Sequence, residues 1–119
     1  MKYLKILVLI GIIGSLIGCT RFSPLIGRWE LVDVTNVPFG TVVAREIEFF
    51  SDGTGRMHFD IWGFSTTTAF TWSTEAGRVR MEGDDIPTQI NDFQISGEML
   101  TFIYDRTNNF TSLYRRASR

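Results

Sequence analysis

The feature that most constrains the fold of this chain is an alternation of apolar and polar residues, which recurs in short runs between residues 27 and 116. In one run, Met57 and Phe59 alternate with His58 and Asp60. An alternation with a period of two places the apolar side chains of a β-strand on one face. No window after residue 19 sustains the spacing of three and four residues that is typical of an amphipathic helix. The pattern therefore predicts an all-β fold.

Turn residues divide this pattern into eight runs, which we interpret as eight strands. The Asp52-Gly53 pair between the second and third runs is typical of a tight hairpin, because glycine readily adopts the positive φ that such a turn needs. The predicted strands are Gly27–Val34, Val43–Phe50, Arg56–Trp62, Ser65–Ser73, Arg78–Glu82, Gln89–Ile95, Met99–Tyr104 and Phe110–Arg116.

These strands each carry one apolar face, which has to be buried without leaving a sheet edge unpaired. Closure of the sheet into a barrel satisfies both requirements, and eight strands leave an interior that side chains fill or a small ligand occupies. A two-sheet sandwich is the alternative arrangement, but the Cys…Trp…Cys pattern of immunoglobulin domains is absent from this sequence. We therefore predict a small eight-stranded antiparallel up-and-down barrel.

The first 18 residues have the pattern of a secretory signal peptide rather than of a strand. Lys2 and Lys5 precede the apolar run Ile6–Ile17. As a helix, this run would be about 18 Å long at 1.5 Å per residue, which is short of the roughly 30 Å of hydrocarbon in a bilayer. We predict a signal peptide that is cleaved from the chain, with a buried N-terminal helix as the alternative.

The signal ends in Leu16-Ile17-Gly18-Cys19, which resembles the lipobox of bacterial lipoproteins. The resemblance implies that acyl chains such as palmitate are attached to Cys19 and that the chain is cut before this residue. Each buried CH₂ group contributes roughly 0.8 kcal/mol to membrane binding, so several acyl chains would anchor the protein firmly. The expected organisation is a signal peptide at 1–18, a lipidated tether at 19–24 and a barrel domain at 25–119. The expected location is the cell envelope, at the outer membrane if the source has two membranes.

The charge and the rare residues exclude several classes of function. The formal net charge is −1, and cleavage after residue 18 would remove both lysines and leave −3, so no basic surplus is present for nucleic-acid binding. One cysteine and one histidine exclude a disulfide framework and the usual zinc sites. No nucleophile elbow, phosphate loop or calcium loop is present. We expect no enzymatic activity, no catalytic residue, no metal and no cofactor; His58 and Asp60 are interpreted as a solvated pair on an outer face.

Between residues 25 and 116, the order of several motifs is similar to that in bacterial lipocalin-like lipoprotein domains. These motifs are the Gly-x-Trp opening in Leu25–Leu31, the hairpin Glu48–Gly55, and the segments Phe70–Trp72, Gly77–Met81, Ile95–Leu100 and Leu113–Arg116. The resemblance implies a lipocalin-like barrel whose closed end is plugged by Trp29, with an arginine of the last strand across its ring. Arg115 and Arg116 are the two candidates for that arginine. A guanidinium over an indole ring contributes roughly 0.5–2 kcal/mol.

Aromatic residues define the candidate ligand site, because those on inward faces either fill the core or line a pocket for a small hydrophobic molecule. The resemblance implies that the apolar connection Thr35–Val42 lies over the open end of the barrel, with Phe39 closing the mouth. The Trp62-Gly63-Phe64 turn is a second candidate for the rim. The candidate ligand-binding residues are Phe39, Phe49, Phe59, Trp62, Phe64, Phe70, Trp72, Phe93 and Phe102.

Two functions are compatible with this sequence. The first is non-enzymatic binding of a small hydrophobic ligand by a membrane-anchored lipoprotein. The alternative is a protein-interaction or structural module of the cell envelope, with a filled barrel and aromatic side chains at its rim that contact a partner protein.

Overall fold

A computed structural model describes residues 23–117, which form eight strands joined by six short turns and one longer loop between the first two strands. The strands are β1 (Gly27–Thr35), β2 (Glu46–Phe49), β3 (Thr54–Ile61), β4 (Phe64–Glu75), β5 (Arg78–Gly83), β6 (Ile86–Ser96), β7 (Met99–Asp105) and β8 (Phe110–Arg116). The predicted signal peptide and Cys19 lie outside the described residues. Within the described part of the chain, no helix is long and apolar enough to span a membrane.

The sheet closes on itself as an up-and-down barrel. Each strand pairs in antiparallel fashion with its neighbour in sequence, and β1 pairs with β8. The closing register runs from Trp29 opposite Arg116 to Thr35 opposite Thr111. The predicted barrel is confirmed, and the sandwich alternative is wrong. All the strand pairings and the buried core lie within residues 25–116.

Several strand boundaries differ from those predicted. β2 begins at Glu46 rather than Val43, because residues 41–45 do not form a regular strand. Trp62 belongs to a turn: it has φ 52° and Gly63 has φ 83°, as in the two-residue type I′ turn that joins twisted strands. β6 begins at Ile86, which pairs with Gly83 after a bulge in β6, so the predicted loop Gly83–Pro87 is shorter.

The inward side chains form one continuous core. The most buried apolar residues are Leu25, Trp29, Ala44, Ile47, Phe49, Met57, Phe70, Trp72, Val79, Met81, Leu100, Phe102 and Tyr114. At Gly55, an added Cβ would collide with the Phe70 ring and with the carbonyl oxygen of Glu48. Glycine at this position therefore lets the Phe70 ring fill the interior beside β3.

The antiparallel topology sorts the connections onto two ends of the barrel. The chain enters β1 and leaves β8 at one end, which we call the closed end. The other end, which we call the mouth, carries the long β1–β2 loop and the β3–β4, β5–β6 and β7–β8 turns. The Thr35–Val42 connection and the Trp62–Phe64 turn therefore lie at the same end, as a shared rim requires.

The closed end is built around Trp29, whose side chain is fully buried. Its Nε1 donates a hydrogen bond to the carbonyl oxygen of Leu25 at 2.8 Å. The guanidinium of Arg116 lies 4.2 Å from the centre of a Trp29 ring, and it donates to the carbonyl oxygens of Ile26 at 2.9 Å and Pro24 at 3.0 Å. Arg115 is exposed on the outer face, opposite Glu30. Arg116 is thus the arginine across the ring, and it also fixes the N-terminal segment to the base of the barrel.

Candidate functional site

A cavity of about 400 Å³ lies at the mouth of the barrel and is open to solvent on one side. One side of it is formed by the end of the β1–β2 loop, and the rest by side chains from β2, β3 and β5–β8. The lining residues are Thr41, Val42, Val43, Ala44, Ile47, Met57, Phe59, Met81, Thr88, Gln89, Ile90, Asn91, Tyr104, Phe110 and Tyr114. None of these described lining residues carries a charge.

An aromatic wall contributed by β7 and β8 bounds the cavity. The Tyr104 and Phe110 ring centres are 4.6 Å apart. The Tyr104 hydroxyl is 2.7 Å from the Ser112 hydroxyl, and the Tyr114 hydroxyl donates to the carbonyl oxygen of Ala44 at 2.6 Å. Burial raises the pKa of both tyrosines above the ordinary value, so both hydroxyls stay protonated at neutral pH. The Tyr114 bond also holds the end of the β1–β2 loop against the barrel.

Beside this wall, the neighbouring strand β6 contributes two carboxamides to the lining. Gln89 lies opposite Met81 and Asn91 lies opposite Val79 in the β5–β6 register. Met81 and Val79 are both buried, so their partners Gln89 and Asn91 share the inward face. The Asn91 Nδ2 donates to the Gln89 Oε1 over 3.4 Å, a long hydrogen bond. The cavity thus combines apolar and aromatic surface with this polar pair and with the hydroxyls of Thr41 and Thr88.

The structure brings one of the nine sequence-predicted ligand residues to this cavity, namely Phe59. Phe49 instead packs edge-on against Phe70 and Trp72, with ring centres 5.6 Å and 5.2 Å away. The indole Nε1 of Trp72 donates to the carbonyl oxygens of Phe50 and Thr54, which is a structural role at the β2–β3 turn. These three rings fill the barrel rather than line the cavity.

The other two predicted residues with inward side chains also lie away from the cavity lining. Phe102 is buried and packs edge-on against Tyr114, with ring centres 5.6 Å apart. It therefore holds the Tyr114 ring of the aromatic wall in place. Phe93 is partly buried and packs against the core. Both residues therefore support the interior of the barrel without lining the cavity.

The predicted rim aromatics do not cover the mouth. Phe39 is fully exposed and does not lie over the mouth as expected, and residues 41–44 of the same loop line the cavity instead. Trp62 is 94% exposed and Phe64 is 77% exposed. Phe64 has the inward parity of β4, but this face becomes buried only from Thr68 onward. The tip of the β3–β4 hairpin therefore projects beyond the mouth, and its aromatic side chains stand in solvent.

Sequence reasoning missed the residues that give the cavity its chemistry, although strand parity contained the signal. Gln89 and Asn91 have the same parity as Phe93 in the predicted sixth strand. Tyr104 lies two positions after Phe102, and Tyr114 lies two positions before Arg116. The inward positions of these strands are occupied by polar and hydroxyl-bearing residues. Such residues indicate a binding site as much as apolar side chains do.

The predicted pair of His58 and Asp60 is not in contact. The His58 Nδ1 lies 2.8 Å from the Thr67 hydroxyl. Asp60 accepts a hydrogen bond from the Ser65 hydroxyl at 2.7 Å and forms an ion pair with Arg45 at 2.7 Å. Both side chains are therefore held by separate partners on the outer surface.

A second hollow of about 570 Å³ lies at the closed end, lined in part by Arg28, Glu48 and Arg116. Arg116 is already fixed over Trp29, and Glu48 forms an ion pair with Arg56 at 3.0 Å. The residues of this hollow therefore belong to the base of the barrel, and we place the candidate site at the mouth.

Across residues 23–117, no group of three or more His, Cys, Asp and Glu side chains is arranged to hold a metal ion. The chemistry of the mouth cavity is thus defined by its apolar surface, its tyrosines and its carboxamides. Comparison of the chain with protein-family models, curated proteins and solved structures finds no significant match.

Proposed function

We propose that this chain is a lipid-anchored lipoprotein of the cell envelope, with a lipocalin-like barrel that binds a small hydrophobic ligand without enzymatic activity. The cavity of about 400 Å³ carries this proposal. It lies at the lower end of the range of about 300–1,000 Å³ that is usual for ligand pockets. At about 30 Å³ per water-sized group, it has room for roughly a dozen non-hydrogen atoms. Burial of the apolar part of such a ligand contributes about 25 cal/mol per Å².

The position of the tether supports an arrangement in which the mouth faces away from the membrane. Arg116 binds the carbonyl oxygens of Pro24 and Ile26, so the N-terminal segment leaves from the closed end. Between Ser23 and Cys19 the chain can span at most roughly 3.6 Å per residue, or about 14 Å. Acylation of Cys19 would therefore keep the closed end near the bilayer and leave the mouth open to the aqueous phase.

Blocking the cavity tests this function. In the chain from residue 19, carrying Cys19→Ser, the variant Met81→Trp should lower the affinity for naphthalene at least tenfold, because a larger side chain then occupies the ligand's space. Isothermal titration calorimetry measures the affinity. The matched control is Arg80→Trp, which places the same side chain on the outer face of β5 and should leave the affinity unchanged. Equal losses in the two variants, or no saturable binding by the unmodified chain, would contradict the proposal.

The exposed tip of the β3–β4 hairpin favours a second candidate function, the binding of a partner protein in the envelope. Trp62 is exposed and also adopts a positive φ, which costs on the order of 1 kcal/mol for a bulky residue. Asparagine is preferred at this position of a type I′ turn. An exposed, strained tryptophan in place of the preferred residue is the pattern of an anchor at an interface.

Replacing Trp62 with asparagine separates this role from folding. The variant should keep or raise the melting temperature, because the turn is relaxed, and should lose any partner that is cross-linked in intact cells. Ala76→Asn is the control, since Ala76 and Gly77 have φ values of 51° and 77° and form a turn of the same kind at the closed end. Retention of the same cross-linked partners by Trp62→Asn would rule out Trp62 as the anchor.

A further inference from the structure

The polar lining of the cavity consists of the two carboxamides of β6, the hydroxyls of Thr41 and Thr88, and the two tyrosine hydroxyls. Gln89 and Asn91 form one hydrogen bond with each other, through Asn91 Nδ2 and Gln89 Oε1. Each carboxamide has two N–H donors and a carbonyl acceptor, so the Gln89 Nε2 and the Asn91 Oδ1 are left with capacity to bond. In the described part of the chain, no buried side-chain nitrogen or oxygen atom lacks a partner. The free amide groups are therefore not sealed in the core, and they remain accessible from the cavity.

The tyrosine hydroxyls do not compete with the carboxamides for a ligand. The hydroxyl of Tyr114 is committed to the carbonyl oxygen of Ala44, and the hydroxyl of Tyr104 to Ser112. The tyrosines contribute their ring surfaces to the lining. The β6 side of the cavity therefore offers a ligand one donor group and one acceptor group close together.

The charge around the cavity disfavours an ionised ligand. The described lining contains no arginine, lysine or histidine to neutralise a carboxylate, and no aspartate or glutamate to neutralise an ammonium group. An ionised ligand that entered the cavity would lose part of its hydration and find no opposite charge in the lining, which is unfavourable. The turns at the mouth add Asp84, Asp85 and Asp105. Arg106 shares Asp92 with Arg78, and Arg45 at the same end is paired with Asp60, so acidic groups are in excess around the mouth. This negative rim opposes the approach of anions in particular.

We infer that the cavity selects a neutral amphiphile of roughly a dozen non-hydrogen atoms, whose hydroxyl, carbonyl or amide group bonds to Gln89 and Asn91. The apolar part of the ligand lies against Met57, Phe59 and Met81. A free fatty acid or another carboxylate of the same size is rejected. The inference rests on the proposed ligand-binding function and specifies the chemistry of the same site.

Three ligands with the same ring system test this selectivity. Naphthalene has no polar group, 1-naphthol adds a neutral hydroxyl, and 1-naphthoate adds a carboxylate. In calorimetric titrations at neutral pH of the chain from residue 19 with Cys19→Ser, we expect 1-naphthol to bind about tenfold more tightly than naphthalene. We expect 1-naphthoate to bind at least tenfold more weakly than 1-naphthol. These comparisons use one unmodified barrel, so they do not depend on the folding of a variant.

Leucine substitutions then locate the hydrogen bond. Gln89→Leu and Asn91→Leu should remove the advantage of 1-naphthol over naphthalene and leave naphthalene binding in place. The control is Gln94→Leu, the same kind of change on the exposed outer face of β6. The inference is overturned if 1-naphthoate binds as well as 1-naphthol, or if Gln94→Leu has the same effect as the inward variants. If none of the three ligands binds, the proposed function itself fails, so the two failures are distinguishable.

Discussion

Replacement of Cys19 by alanine is expected to abolish the incorporation of palmitate and to release the chain from the membrane fraction. Cys19 is the only cysteine in the sequence, so no other thiol can accept a diacylglycerol group. Two or three acyl chains anchor a protein far more firmly than one, because each buried CH₂ contributes roughly 0.8 kcal/mol. Metabolic labelling with palmitate, followed by separation of membrane and soluble fractions, measures both effects.

Thr20→Ala is the control for this experiment, because it changes the next residue and leaves the thiol in place. It should retain both the label and the membrane association. Palmitate labelling that persists in Cys19→Ala would show that the sequence before the barrel is not a lipoprotein signal. In that case the ligand-binding proposal would survive, since it depends on the barrel alone.

The Trp29→Ala variant is expected to lower the free energy of unfolding by about 3–5 kcal/mol, the usual cost of truncating a fully buried aromatic side chain. The variant also removes the surface that the Arg116 guanidinium covers and the hydrogen bond to Leu25. A domain of this size is stable by roughly 5–15 kcal/mol, so much of its stability would be lost. Urea denaturation followed by circular dichroism measures the change.

Trp62→Ala provides a matched comparison, because it makes the same chemical change at an exposed tryptophan. Surface substitutions usually change stability by no more than about 0.5 kcal/mol, so this variant should unfold at nearly the same urea concentration as the unmodified chain. Similar losses in the two variants would contradict the assignment of Trp29 as the plug of the closed end.

The strands could be predicted from the sequence because their inward faces follow a period of two. Met57 and Phe59, or Val79 and Met81, identify the buried face without any knowledge of the neighbouring strands. The choice between Arg115 and Arg116 could not be made in this way. It depends on the β1–β8 register, in which a bulge lies between Leu31 and Asp33, and bulges leave little trace in the sequence pattern.

The ligand site was harder to predict, because parity gives the face of a residue and says nothing of its depth in the barrel. Phe49 and Ile47 share one face of β2, but Ile47 lines the cavity and Phe49 lies among the core rings. Phe64 has inward parity and is nonetheless exposed at a projecting hairpin tip. Depth depends on strand stagger and on the path of the β1–β2 loop, which are properties of the assembled sheet.

The methionine methyl groups allow the most direct test of a ligand cavity at the mouth. Met57 and Met81 line the cavity, whereas Met99 begins β7 at the closed end. In methyl-labelled NMR spectra of the chain from residue 19 with Cys19→Ser, titration with 1-naphthol should shift the Met57 and Met81 signals to saturation and leave Met99 in place. Unchanged signals, or a shift of Met99 equal to those of Met57 and Met81, would contradict binding inside the barrel.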